Sequence, residues 1–153
     1  EGAGGGSEPE GAVDIDGVPF DLLIAYDARH FPAPRPRFLE AWIRQEGTYG
    51  WAVLGEDGGV VGYGVVRRCR RGYKIGPLFA DTPKIAEEIF LALSAQASSG
   101  LVYLDVPEPN TAAVALACRH GMVPVFETAR IYTKAIPDLP INEIFGVTSF
   151  ELG

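Results

Sequence analysis

The sequence has little of what builds covalent, metal-centred or membrane-embedded proteins. Two cysteines, Cys69 and Cys118, occur in 153 residues. That is too few for a disulfide framework, and free thiols suit a reducing, cytoplasmic setting. The two histidines, His30 and His120, stand at no metal-ligand spacing, so no metal is expected. No apolar run is long enough to span a bilayer, and the start lacks the charged-then-apolar pattern of a signal peptide. Cations are also outnumbered: 13 Lys and Arg against 20 Asp and Glu leave a formal net charge of −7. That balance speaks against a general nucleic-acid binder, which needs clustered cations. Gly-x-Ser-x-Gly, a Cys–His pairing and a Walker loop are all missing, so hydrolase and nucleotide-hydrolysing chemistries find no support.

What is present is enough apolar material for one core. Hydrophobic residues make up 47% of a chain of single-domain length. Residues 1–12 read as a flexible linker, because Gly2, Gly4, Gly5, Gly6 and Ser7 cannot bury enough apolar surface to order themselves. Residues 13–153 read as a single domain. A linker at the start, on a chain that begins with Glu1 rather than Met, fits a segment cut from something longer; a frayed terminus is the alternative.

Hydrophobic spacing divides the domain. Phe20 to Tyr26 is a short apolar piece, helix or strand. Phe38, Leu39, Trp42 and Ile43 recur at helical spacing and predict a helix over Pro36 to Gln45, broken by Gly47 to Gly50. Three strands follow, Trp51 to Leu54, Val60 to Arg67 and Tyr73 to Phe79, with tight turns that imply an antiparallel meander. Thr82-Pro83 then opens a helix to about Gln96. Leu101 to Val106 is a strand. Asn110 caps a helix over Thr111 to His120, which Gly121 ends. Val123 to Val125, Ala129 to Thr133 and Phe145 to Leu152 read as further strands. The order predicts an α/β fold of mixed α+β type: a central, mostly antiparallel sheet with one crossover, flanked by helices.

Several local features carry two readings. Arg67-Arg68-Cys69-Arg70-Arg71 reads as a solvated strand turn whose alternation sends the arginines to both faces; an anion site is the alternative. Glu127, Arg130 and Tyr132 stand on the predicted strand pair after the last helix. A buried carboxylate there could accept a proton, whereas a Glu127–Arg130 ion pair would be structural.

The segment Asn110-Thr-Ala-Ala113-Val-Ala-Leu116-Ala-Cys-Arg-His-Gly121-Met122 resembles the helix after the fifth strand of the GNAT superfamily of acyl-coenzyme A-dependent N-acyltransferases. Four phrases, starting at Gly72, Leu104, Phe126 and Phe145, resemble the C-terminal GNAT-like domain of two-domain acetyltransferases. The resemblance covers nearly everything from Phe20 onward. It implies acetyl-CoA as co-substrate, no metal, a small-molecule amine acceptor, and a preceding GNAT domain of the same parent chain. It also leaves a homodimer open, and implies neither a nucleic-acid nor a membrane partner. It marks Glu127 and Tyr132 as candidate catalytic residues. Arg130, Asp105 and Tyr73 become candidate substrate contacts, and Asn110 and Leu78 candidate cofactor contacts.

The departures are as informative. Pro83 and Ile85 fall where the family keeps small residues, usually glycines, whose backbone N–H groups hold a pyrophosphate. Asp81 adds a negative charge beside that place. The family's tyrosine, often the acid for the departing thiolate, falls at Ala117. Three functions stay open: an acceptor-shaping half of a two-domain acyltransferase, a self-sufficient acyltransferase with an altered loop, and a non-catalytic binding or interaction domain that kept only the fold.

Overall fold

The computed structural model describes residues 12–31, 33–97, 100–123 and 139–148. Strand β1 (Ala12–Asp14) leads through a single 3-10 turn, Ile15–Gly17, into helix α1 (Phe20–Ala28). The apolar piece at Phe20 is therefore helical. Leu23 and Tyr26, three residues apart, share its buried face. Helix α2 (Pro36–Ile43) places proline in its first turn, where the missing N–H costs nothing, and buries Leu39 and Trp42.

Strands β2 (Thr48–Leu54), β3 (Val60–Cys69) and β4 (Gly72–Ala80) form the expected antiparallel meander. Strand β2 starts earlier than the glycines at 47 and 50 imply. Gly50 lies inside the strand because the side chain of Ile15 fills the space a Cβ would take. The turn between β3 and β4 is short: only Arg70 and Arg71 stand outside the strands, and Gly72 adopts φ 110°.

Helix α3 (Pro83–Gln96) carries the chain from β4 across to β5 (Val102–Leu104), which pairs with β4 in parallel. The helix is capped by Thr82, whose hydroxyl accepts from the Ile85 N–H. It lies directly on β3 because Gly62 and Gly64 have no side chains. A Cβ at Gly62 would come within 2.7 Å of Ile85 Cγ2, and one at Gly64 within 2.8 Å of Leu93 Cδ1. Helix α4 (Thr111–Arg119) and a second 3-10 turn, Ile141–Glu143, precede β6 (Ile144–Gly146), which pairs antiparallel with β4. The sheet runs β1-β2-β3-β4-β5, with β6 on β4 beyond β5. This is the mixed, mostly antiparallel sheet flanked by helices that the sequence predicts. The strands expected over Ala129 to Thr133 and beyond Thr148 lie outside the described residues.

The two faces of the sheet carry separate cores. Under α1 and α2 lie Leu23, Tyr26, Leu39, Trp42, Tyr63 and Phe79. Under α3 and α4 lie Val66, Ile75, Leu78, Ile89, Leu93 and Leu116. Leu116 and Ala113 are fully buried against the sheet, and Ala117 beside them is half-buried. Leu116→Ala should therefore destabilise the domain by about 2–5 kcal/mol in urea unfolding. A loss under about 0.5 kcal/mol, typical of surface sites, would contradict the burial.

Candidate functional site

In a sheet with a parallel pair, ligands collect where the carboxyl ends of the two strands part. Here that place lies between β4 and β5. The two strands pair only over Tyr73, Lys74 and Ile75 with Val102, Tyr103 and Leu104. Beyond Ile75, β4 takes a different partner: Leu78 pairs with Gly146 and Phe79 with Ile144. The same segment reaches the β5 side, because Val147 N–H donates to the Asp105 carbonyl at 3.0 Å. Asn110 holds its start, with Nδ2 donating to the Ile144 carbonyl at 2.9 Å. Gly76 makes room for its end, since a Cβ there would lie 2.5 Å from the Val147 carbonyl oxygen and 2.7 Å from that of Thr148. The cleft is thus filled by residues 144–148 of the chain itself.

A buried polar network secures that segment to the face under α1 and α2. Asp27 is 1% exposed. It accepts a two-pronged bond from Arg35, Nε at 2.8 Å and Nη2 at 3.0 Å. The Tyr63 hydroxyl also donates to Asp27. Arg35 Nη2 donates further to Thr148 Oγ1 at 2.8 Å, and the guanidinium stacks over Phe31 at 3.9 Å. Burial, and then the Asp27 carboxylate, push the Tyr63 hydroxyl well above the ordinary phenol range, so it remains a donor. Beside it, the Tyr26 hydroxyl lies 2.9 Å from Asp81 Oδ1 and 3.0 Å from the Val61 carbonyl. Burial and Asp81 hold this phenol protonated as well. His30 spans the Tyr26 carbonyl at 2.8 Å and Glu143 Oε1 at 2.9 Å. Apart from Arg35 Nη1, which is buried without a partner among the described residues, these groups bind one another, and their chemistry is positioning.

The start of α3 does not fit a phosphate cradle. An anion at a helix N-terminus needs several converging N–H groups. Pro83 has none, Ile85 N–H is held by Thr82 Oγ1 at 3.3 Å, and Ala86 N–H by the Thr82 carbonyl at 3.1 Å. The Ile85 side chain is turned down against Gly62.

Of the residues singled out in the sequence, Glu127, Arg130 and Tyr132 lie outside the described residues. Asp105 forms an ion pair with Lys74 at 2.6 Å, largely shielded from solvent. Tyr73 packs with the core under α3 and α4, on the opposite face of the sheet from Lys74. Asn110 is 1% exposed, and its amide caps α4 through Ala113 N–H as well as binding Ile144. Leu78 is fully buried in the same core as Tyr73. Asn110 and Leu78 therefore stand at the cleft as parts of its packing. Sequence reading missed Asp27, Arg35, Tyr63 and Thr148. The available signal was an aspartate closing an apolar helix and an arginine held between prolines; the partners are too distant in sequence to pair by inspection.

With this geometry in place, comparison with known proteins is informative. Residues 23–146 match the profile of the GNAT acetyltransferase domain. The holothin acyltransferase of Pseudoalteromonas sp. (strain SANK 73390) is 29% identical over 146 residues, covering 95% of this chain and 49% of that protein. A crystal structure from Pyrococcus horikoshii, assigned by name as an acetyltransferase, superposes with a TM-score of 0.70 at 25% identity, covering 96% of this chain and 47% of the other. The aminoglycoside antibiotic 6′-N-acetyltransferase of Acinetobacter baumannii shares the fold, with a TM-score of 0.57 at 11% identity, covering 82% of this chain and 97% of the other. The chain spans about half the length of the first two relatives. Mixed sheet, crossover helix, capped α4 and profile agree: the chain belongs to the GNAT acetyltransferase domain family.

Proposed function

We propose that this chain is the C-terminal GNAT-like half of a two-domain, acyl-CoA-dependent N-acyltransferase. In this reading the preceding GNAT domain holds acetyl-CoA, and the half described above shapes the pocket for a small-molecule amine acceptor. Family membership and the name of the holothin acyltransferase support acyl transfer as the chemistry. The relatives' double length supports the second domain. The observation that carries the division of labour is the filled cleft. Residues 144–148 occupy the opening between β4 and β5, and in the first turn of α3 Pro83 has no N–H while those of Ile85 and Ala86 are bonded to Thr82. In this reading the half contributes groups to the acceptor side and none to holding acetyl-CoA.

The reading assigns acceptor contacts to Glu127, Arg130 and Tyr132, and to Asp105. Glu127 would take a proton from the acceptor amine, and Tyr132 would orient it.

Two measurements test this. Isothermal titration of the chain with acetyl-CoA should give weak or no binding; a micromolar dissociation constant, about −8 kcal/mol, would instead make the domain self-sufficient. In the full-length parent, Glu127→Gln and Tyr132→Phe should lower kcat or raise KM with an unchanged melting temperature. Wild-type kinetics in both variants would leave this half a scaffold.

A further inference from the structure

The arginine cluster after β3 does not behave as one unit. Arg68, Arg70 and Arg71 are exposed, whereas Arg67 is half-buried on the face under α2. Its guanidinium carbon lies 4.9 Å from the centre of the Trp42 ring. Trp42 is itself fixed by its indole N–H, which donates to the Gly76 carbonyl at 2.9 Å. Arg67 Nε is shielded from solvent and has no hydrogen-bond partner among the described residues. Directly opposite in the β2–β3 ladder stands Thr48. Alternation from Gly50, which faces Ile15, puts Thr48 on the same face. Its Oγ1 is also shielded and, among the described residues, also without a partner. On the other side of Arg67, Lys74 is its ladder partner, already engaged by Asp105.

Buried polar atoms in folded proteins are nearly always paired, so two orphans facing each other across one ladder point to a missing third party. Cross-strand partners sit about 5 Å apart, which leaves both within reach of one small group. The guanidinium fork matches a planar two-oxygen acceptor, and the threonine hydroxyl supplies a further donor. The Trp42 ring holds the guanidinium by its face and leaves its edge for the ligand. We infer that Arg67 and Thr48, backed by Trp42, form a carboxylate-binding subsite on the sheet face beneath α2. Lys74 and Asp105 close its far side. The inference rests on the proposed acceptor role only for the source of the carboxylate, which would make the acceptor an amine that also carries an acid group.

Binding can be read without turnover. In the chain carrying Trp51→Phe, Trp42 is the remaining tryptophan, and its fluorescence can be followed during titration with sodium acetate, with sodium chloride at equal ionic strength, and with inorganic phosphate. Acetate should give a saturable change that chloride does not. Arg67→Gln should weaken it at least tenfold, while Arg68→Gln, on the outward neighbour, should leave it unchanged. A response shared by chloride, an Arg67→Gln variant that binds acetate normally, or phosphate binding tenfold more tightly than acetate would each overturn the assignment; the first two would leave a buried water as the third party. If Arg67→Gln loses its cooperative melt, Thr48→Val carries the same test: acetate binding should weaken severalfold, and unaltered binding overturns the proposal. No acyl donor is present, so failure here leaves the acyl-transfer reading standing, and an inactive parent leaves acetate binding unaffected.

Discussion

The architecture depends on how β4 divides its edge. A strand can satisfy one neighbour's backbone along each side, and β4 gives the first part of one side to β5 and the rest to β6. Because β5 runs parallel and β6 antiparallel, the two cannot continue one another, and a wedge opens between them after Ile75. In an open α/β sheet such a wedge receives ligands. Here the chain's own backbone takes it, pairing with Leu78 and Phe79 on β4 and with the Asp105 carbonyl. Family membership fixes the scaffold, while this occupancy decides what the scaffold is free to do.

The Asp27 network explains why the occupying segment stays in place. Three segments meet at one carboxylate: the end of α1, the proline-rich segment before α2, and the more distant β3. Arg35 extends the contact to Thr148. A buried carboxylate without partners would be strongly unfavourable; with a two-pronged arginine and a phenol it is satisfied. Removing either partner would leave the other exposed to that cost, so the network acts as a unit. His30 and Glu143 repeat the device one turn away with a second tie to the same segment.

Much of the fold was legible because its signals are local. Thr82-Pro83 and Asn110 announce helix starts through their own chemistry, and the 3.6-residue spacing of Ile85, Ile89 and Leu93 gives a face. Gly50 misled because its role is tertiary: it accommodates Ile15 rather than breaking a strand. The candidate site was less legible for the same reason. Asp105 reads as a strand-end acid, but its pairing with Lys74 depends on parallel register, which no local pattern encodes. Tyr73 and Lys74 are adjacent in sequence and on opposite faces in space, and which face each takes depends on register. The altered start of α3, by contrast, was readable from residue types alone, because proline lacks a donor whatever its surroundings.

The closing of the wedge by residues 144–148 also has a consequence in time. Thr148 meets Arg35, and Glu143 meets His30, across 113 residues of sequence. During synthesis from the N-terminus, the far half of β4 emerges long before the strand that covers it. Until residues 144–148 arrive, the domain presents an open strand edge beside a buried, partly unsatisfied Arg35. Contacts that close such long loops form late, and an uncovered edge is the surface on which nascent chains associate with one another. The strand Ile144–Gly146 therefore covers last an edge that β4 has exposed since its own synthesis.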